Sequence, residues 1–242
     1  MCTTCGCGGP APEGAPRRRR VSLERSLLAR NDAFAAANRE AWAARGILAL
    51  NLVSSPGSGK TSLLVATLQR LRGRLPAAVL EGDQQTERDA ARIRAAGFPA
   101  LQINTGKGCH LDAHAVGHAA ERLAPPAGSV LFIENVGNLV CPAAFDLGEA
   151  CKVVVLSVTE GEDKPLKYPD MFAAAGVLLL NKVDLLPHLA FDVEACLAMA
   201  FQVNPDLRVF RVSAATGEGL EAWTDWVAGQ VAAAPAGAGA LP

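Results

Sequence analysis

Ser54-Ser55-Pro56-Gly57-Ser58-Gly59-Lys60-Thr61 has the residue types and spacing of a loop that holds phosphate. Its glycines let the chain turn tightly enough for successive backbone N–H groups to converge. A helix beginning at the same point adds the partial positive charge of its N-terminus. Lys60 would reach the β- and γ-phosphates of a nucleotide, and the Thr61 hydroxyl would ligate Mg2+. Gly57, Ser58, Gly59, Lys60, Thr61 and Ser62 are therefore the candidate phosphate-binding residues. Ser54 stands where the P-loop pattern has its first glycine, which is tolerable provided this position needs no positive φ.

Phosphoryl transfer also needs carboxylates on the metal side. Asp83 follows the apolar run Ala77-Ala78-Val79-Leu80-Glu81, and an acid just past the carboxyl end of a strand in an α/β sheet lies on the ligand side. It is read as a Mg2+-binding or water-orienting group, the alternative being a cap for the helix that starts near Thr86. Val130-Leu131-Phe132-Ile133-Glu134 ends an apolar run in an acid, the Walker-B pattern, and Gly137 lets a backbone N–H approach the γ-phosphate. Lys60, Asp83 and Glu134 are the candidate catalytic groups, and Thr61, Asp83 and Glu134 the candidate Mg2+ ligands. Asn138 stands just after Gly137, where Ras-like enzymes have a water-orienting glutamine, so slow intrinsic turnover is expected.

The base is chosen by Asn181-Lys182-Val183-Asp184. An Asn-type contact, together with a carboxylate that accepts the N1–H and exocyclic amino group of a purine, selects guanine over adenine, with Lys182 along the base plane. Ser213 and Ala214 form a further base-side loop. GTP and GDP are the expected nucleotides.

A second chemistry is carried by thiols. Cys2, Cys5 and Cys7 lie within the first seven residues; with the terminal amine they suit square-planar Ni2+ as well as tetrahedral Zn2+. Cys109 and His110 follow one strand and Cys141 follows another, so both loops fall at the same end of the sheet. Two Cys and one His are an incomplete shell for Zn2+ or Ni2+, completed by water or by the same loops of a second chain. His114 and His118 continue the four-residue spacing from His110, but a helix carries them progressively away from the loop, and they are read as a helix face. Cys151 and Cys196 are read as core residues.

These groups need a scaffold. Apolar runs at 47–53, 77–81, 100–103, 130–134, 152–158, 176–180 and 208–212 read as seven strands separated by stretches with helical spacing. The fold class is α/β, a mostly parallel P-loop NTPase sheet with helices on both faces and a flexible N-terminal metal-binding tail. Residues 1–20 are the Cys-rich tail and linker, and 21–45 a helix whose Leu23, Leu27, Phe34 and Trp42 dock on the core. Residues 46–235 form the GTPase domain and 236–242 a frayed end. The 242 residues are 50 % hydrophobic with a net charge of −1, which argues for one large core and against a general nucleic-acid binder. No apolar run reaches the roughly 18 residues of a membrane span, and the first twenty residues lack a signal-peptide core, so a cytoplasmic protein is expected.

Taken together, Cys-x-x-Cys-Gly-Cys, the P-loop, Gly82-Asp83-Gln84-Gln85-Thr86, Gly108-Cys109-His110-Leu111-Asp112-Ala113, Glu134-Asn135-Val136-Gly137-Asn138-Leu139-Val140-Cys141-Pro142 and Asn181-Lys182-Val183-Asp184 resemble the HypB family. Its members are nickel-inserting GTPases of nickel–iron hydrogenase maturation, of the SIMIBI class. The resemblance covers essentially the whole chain. It implies a homodimer formed with nucleotide and metal, nickel or zinc at Cys109, His110 and Cys141, and nickel at Cys2, Cys5 and Cys7. It also implies delivery to the hydrogenase large subunit with the partner HypA. Some members carry a histidine-rich run after the first cysteines; Gly8 to Pro16 stands there in this chain, so bulk nickel storage is not implied. The alternatives are a urease-type metallochaperone GTPase, against which the terminal cysteines and Cys141 argue, and a nucleotide-binding metal sensor or storage protein, against which Lys60, Thr61, Asp83, Glu134 and Asp184 argue.

Overall fold

The computed structural model describes residues 17–83, 88–106 and 108–233, with side chains from residue 26 onward. Cys2, Cys5 and Cys7, the side chain of Leu23, residues 84–87, Lys107 and residues 234–242 lie outside the described residues. In chain order the elements are α1 (Arg17–Ala43), β1 (Leu48–Ser54), α2 (Lys60–Leu71), β2 (Ala77–Asp83), α3 (Arg88–Ala95), β3 (Ala100–Asn104), α4 (Ala113–Leu123) and β4 (Val130–Gly137). Then follow β5 (Cys151–Ser157), α5 (Lys164–Lys167), α6 (Pro169–Ala173), β6 (Ala175–Asn181), α7 (Val193–Val203), β7 (Arg208–Arg211) and α8 (Leu220–Ala233). All seven expected strands form, in the order β3-β2-β4-β1-β5-β6-β7, with every pairing parallel.

Strands buried on both faces read as continuous apolar runs, and successive side chains leave on opposite faces. Leu48, Leu50 and Leu52 of β1, with Val130 and Phe132 of β4, join Leu63, Leu64 and Leu68 of α2 and Trp223 of α8 in one core. Ala49, Leu131 and Ile133 face the other way, onto Val116 and Ala119 of α4 and Trp42 of α1. Val154, Leu156, Leu178 and Leu180 form a third cluster with Phe172 of α6 and Cys196 of α7. Burial raises the Cys196 thiol to about 12, as befits a core residue. No helix among the described residues is long and apolar enough to cross a membrane.

α1 begins at Arg17, four residues ahead of position 21; arginine is a good helix former. Trp42 is buried, but Leu27 and Phe34 are only half-buried. Much of the docking is instead polar. Asn38 Nδ2 donates to the carbonyls of Ala113 (2.7 Å) and Leu147 (3.0 Å). Asn31 donates to Asp146 O and accepts from Ala113 N, and Arg39 pairs with the Asp146 carboxylate at 2.7 Å. Gly148, at φ +90°, allows this approach: a Cβ there would lie 2.6 Å from the carbonyl of Ala35.

Candidate nucleotide and metal sites

β1 ends at Ser54 and α2 starts at Lys60, so the P-loop joins the central strand to a helix N-terminus. Gly57 and Gly59 take positive φ, 79° and 92°, while Ser54 does not. Ser54 closes the strand in register with Gly137, and its hydroxyl accepts a hydrogen bond from Lys60 Nζ at 2.8 Å. A serine at the first position therefore holds the lysine as well as fitting the backbone. The Ser58 hydroxyl is buried with no partner.

Glu134 and Glu81 are register partners on β4 and β2, and both are buried beneath the loop. Thr61 Oγ1 donates to Glu134 Oε1 at 2.7 Å, whereas Glu134 Oε2 and Glu81 Oε2 are buried without partners. Burial, and then the neighbouring carboxylates Glu134 and Asp83, raise Glu81 to about 8. Burial also raises Glu134, against the pull of Lys60, and lowers Lys60 against the pull of Glu134. Asp83 ends β2 and lines the same cleft, of about 470 Å³, with Glu81, Asp89, Arg92, Glu134 and Gly137. Arg92 of α3 donates to Ser62 Oγ and pairs with Asp89. A hydroxyl with unpartnered buried carboxyl oxygens is a hard oxygen donor set, and it fits Mg2+. Sequence reading missed Glu81 and Arg92. For Glu81 the available signal was an acid inside an apolar strand, two residues before Asp83 and hence on the same face.

At the base end, Asn181 is buried; its amide donates to Ser58 O (2.9 Å) and accepts from Ala214 N (3.3 Å). Asn181 thus ties the P-loop to the Ser213–Ala214 loop. Lys182 sits at φ 63° with Nζ on the carbonyl of Gly57 at 2.9 Å. Asp184 accepts from the Ser213 hydroxyl, which in turn accepts from Ala215 N and Thr216 N. The carboxylate that would read guanine is held before any base arrives.

Cys109, His110 and Cys141 come together with their ligand atoms within 4.8 Å of one another. The sulfurs of Cys109 and Cys141 are 2.9 Å apart, and His110 Nδ1 lies 3.5 Å from Cys109 Sγ. His110 is buried, its ring centroid 3.9 Å from that of Phe145, and its Nε2 has no partner. Burial lowers its pKa, which favours the neutral imidazole a metal requires. Two thiols and a neutral imidazole fit a borderline ion such as Ni2+ or Zn2+.

The two sites share β4. Asn135 Oδ1 accepts from Leu111 N, its Nδ2 reaches Asn51, and Asn51 donates to Glu149, which pairs with Lys152 at 2.9 Å. Asn138 donates to the carbonyl of Cys109 and accepts from Val140 N. Sequence reading gave Asn51, Asn135 and Glu149 no role of their own; an isolated Asn in the apolar run of β1, and the place of Asn135 in the Glu134–Pro142 motif, were the hints.

The family model described as CobW/HypB/UreG, nucleotide-binding domain matches residues 48–211. Hydrogenase maturation factor HypB of Azotobacter vinelandii is 65% identical over 222 residues, covering 90% of this chain and 73% of that protein. The Escherichia coli K12 factor is 60% identical over 222 residues, covering 92% and 77%. HypB from Helicobacter pylori, solved in complex with nickel, superposes with a TM-score of 0.79 at 37% identity, covering 84% of this chain and 96% of that one. With a nucleotide-binding P-loop domain and a Cys-His-Cys cluster built on the same sheet, this chain belongs to the HypB family of hydrogenase maturation factors.

Proposed function

We propose that this chain is a cytoplasmic, GTP-hydrolysing nickel metallochaperone that inserts nickel into the large subunit of nickel–iron hydrogenase. HypA is its partner, and it acts as a homodimer whose assembly follows nucleotide and metal. The observation that carries this reading is the step from Glu134 to Asn135. Adjacent strand residues point to opposite faces: Glu134 holds Thr61 in the nucleotide cleft, and Asn135 holds Leu111 behind the metal loop. A change at the γ-phosphate reaches Cys109 through Asn138 and Cys141 through the same segment.

In this reading the P-loop N–H groups and Lys60 bind the phosphates, and Asp184 accepts from guanine. Thr61, Asp83 and Glu134 would hold Mg2+, which neutralises charge on the β- and γ-phosphates. Asp83 or Glu134 orients the attacking water. The Asn138 amide is committed to Cys109 and Val140, so no glutamine-like group is spare at that position and turnover is slow. Nickel or zinc is carried at Cys109, His110 and Cys141, and nickel at Cys2, Cys5 and Cys7; the nickel complex of the Helicobacter pylori protein supports that cargo. Val140, 64% exposed beside Cys141, supports a second copy closing over the incomplete shell.

The experiment is Ni2+ and Zn2+ binding to reduced protein with and without a non-hydrolysable GTP analogue, comparing wild type with Cys2→Ala/Cys5→Ala and Cys109→Ala/Cys141→Ala. Two separable sites are expected, the second changing affinity with nucleotide, and metal must change nucleotide affinity by the same factor. A single nucleotide-blind site in the tail would separate the two chemistries and sink the proposal.

A further inference from the structure

The cleft beside the P-loop is acidic. Glu81, Asp83, Asp89 and Glu134 line it, and among its described lining residues the cations are Lys60 and Arg92. A nucleoside polyphosphate brings further negative charge into this space, so each cation there carries weight. Lys60 is held on Ser54 within the P-loop. Arg92 comes from α3 and has no role in the site so far. Its Nη2 donates to Ser62 Oγ at 3.2 Å. Its Nη1 lies 3.2 Å from the carboxylate of Asp89, three residues earlier on the same helix. These contacts use two of the five N–H donors of the guanidinium. The side chain stays half exposed at the rim of the cleft, where an entering ligand can meet it.

We propose that Arg92 is a phosphate-binding residue: its guanidinium takes the phosphate next to Ser62, a group that the di- and triphosphate share, and leaves the γ-phosphate to Lys60 and Gly137. Ser62 is the third residue of α2. It lies beyond Lys60, which reaches the β- and γ-phosphates, in the helix start whose N–H groups cradle the α- and β-phosphates. A group held on the Ser62 hydroxyl therefore stands on the shared side of the polyphosphate. A planar fork can keep Ser62 with one arm and meet a phosphate oxygen with another, which a lysine ammonium cannot match. Asp89 already restrains the fork, so less side-chain freedom is lost when the ligand arrives. The inference rests on the nucleotide site proposed above and adds to it a residue outside the P-loop that sets affinity for both nucleotide states alike.

The test is equilibrium binding of GDP and of a non-hydrolysable GTP analogue, each with Mg2+, to full-length wild type, Arg92→Ala, Arg92→Lys and Arg94→Ala. Arg94 belongs to the same helix but reaches the carbonyl of Ala100 and does not line the cleft. Its loss removes the same charge from a different place. Arg92→Ala should weaken both nucleotides by the same factor, about tenfold, the low end for a hydrogen bond to a charged group because the side chain is half exposed. Arg92→Lys keeps the charge and loses the fork, and should recover only part of that affinity. Arg94→Ala should bind as wild type does. Equal binding by wild type and Arg92→Ala, a loss confined to the GTP analogue, or the same loss in Arg94→Ala would each overturn the inference. If wild type itself binds neither nucleotide, the proposed function fails and takes this inference with it, a result that no Arg92 variant can imitate.

Discussion

At the Asn181–Asp184 end of the cleft the side chains are already engaged: Asn181 with Ser58 and Ala214, Lys182 with Gly57, and Asp184 with Ser213. At the phosphate end, Ser58 Oγ, Glu81 Oε2 and Glu134 Oε2 are buried with no partner. Burying a polar group unpaired costs on the order of 1–3 kcal/mol, and more when it is charged. The Asn181–Asp184 end is thus built as structure, and as the proposed base site it would present a finished surface. The phosphate end is built against stability and is completed by what binds there. Selectivity benefits from rigidity, while a switch benefits from a site whose energy changes when it is filled.

The comparison can be broken most forcefully at Lys60. Lys60→Ala should reduce GTP turnover by at least about 100-fold, the scale of losing one charge-stabilising donor, and leave the preference for guanine over adenine nucleotides intact. Turnover and competition binding measure the two separately, and a change in base preference would mean the ends are not independent. Asp184→Asn attacks the opposite end. It replaces an acceptor pair by one acceptor and one donor, and GTP affinity should fall by about 100-fold, equivalent to roughly 3 kcal/mol for a charged hydrogen bond, as read by equilibrium binding.

Stability sharpens the contrast. Asn181→Ala removes partners from Ser58 O and Ala214 N and should destabilise nucleotide-free protein by about 1–3 kcal/mol, whereas Glu134→Gln should not lower its melting temperature at all. Chemical denaturation of both variants without nucleotide decides the matter; equal losses would erase the distinction between the ends. The smallest effect is a pH slope. Glu81 sits near 8 in the folded protein against 4.5 as its ordinary value. Between those values the folded state holds more protons than the unfolded, so this group's stability is full below about 4.5, declines as pH rises, and is level above about 8. Relative to wild type, Glu81→Gln should gain about 1 kcal/mol or more at pH 9 over pH 5, measured on metal-free protein.

Much of this was legible from local patterns. The strands announce themselves because a sheet covered on both faces needs apolar runs, and the P-loop because Gly57 and Gly59 must take positive φ. The polar docking of α1 was not legible: Asn31 and Asn38 read as ordinary surface residues, and only packing against the backbone of Ala113, Asp146 and Leu147 gives them a role. The Asn51–Asn135–Glu149 network was hidden for the same reason, since its members come from different strands and one loop.

The sequence by itself determined the seven strands, the phosphate loop, the Asn-Lys-x-Asp motif and the thiol-bearing loops, because each depends on residue types at short spacing. Only the tertiary structure decided that Glu81 faces Glu134 across the strand pair and that Asn181 braces the P-loop from the far side of the cleft. It also decided that Glu134 and Asn135 serve opposite faces of β4. Those relations depend on which strands become neighbours and how much water their packing removes, and neither quantity belongs to any single stretch of chain.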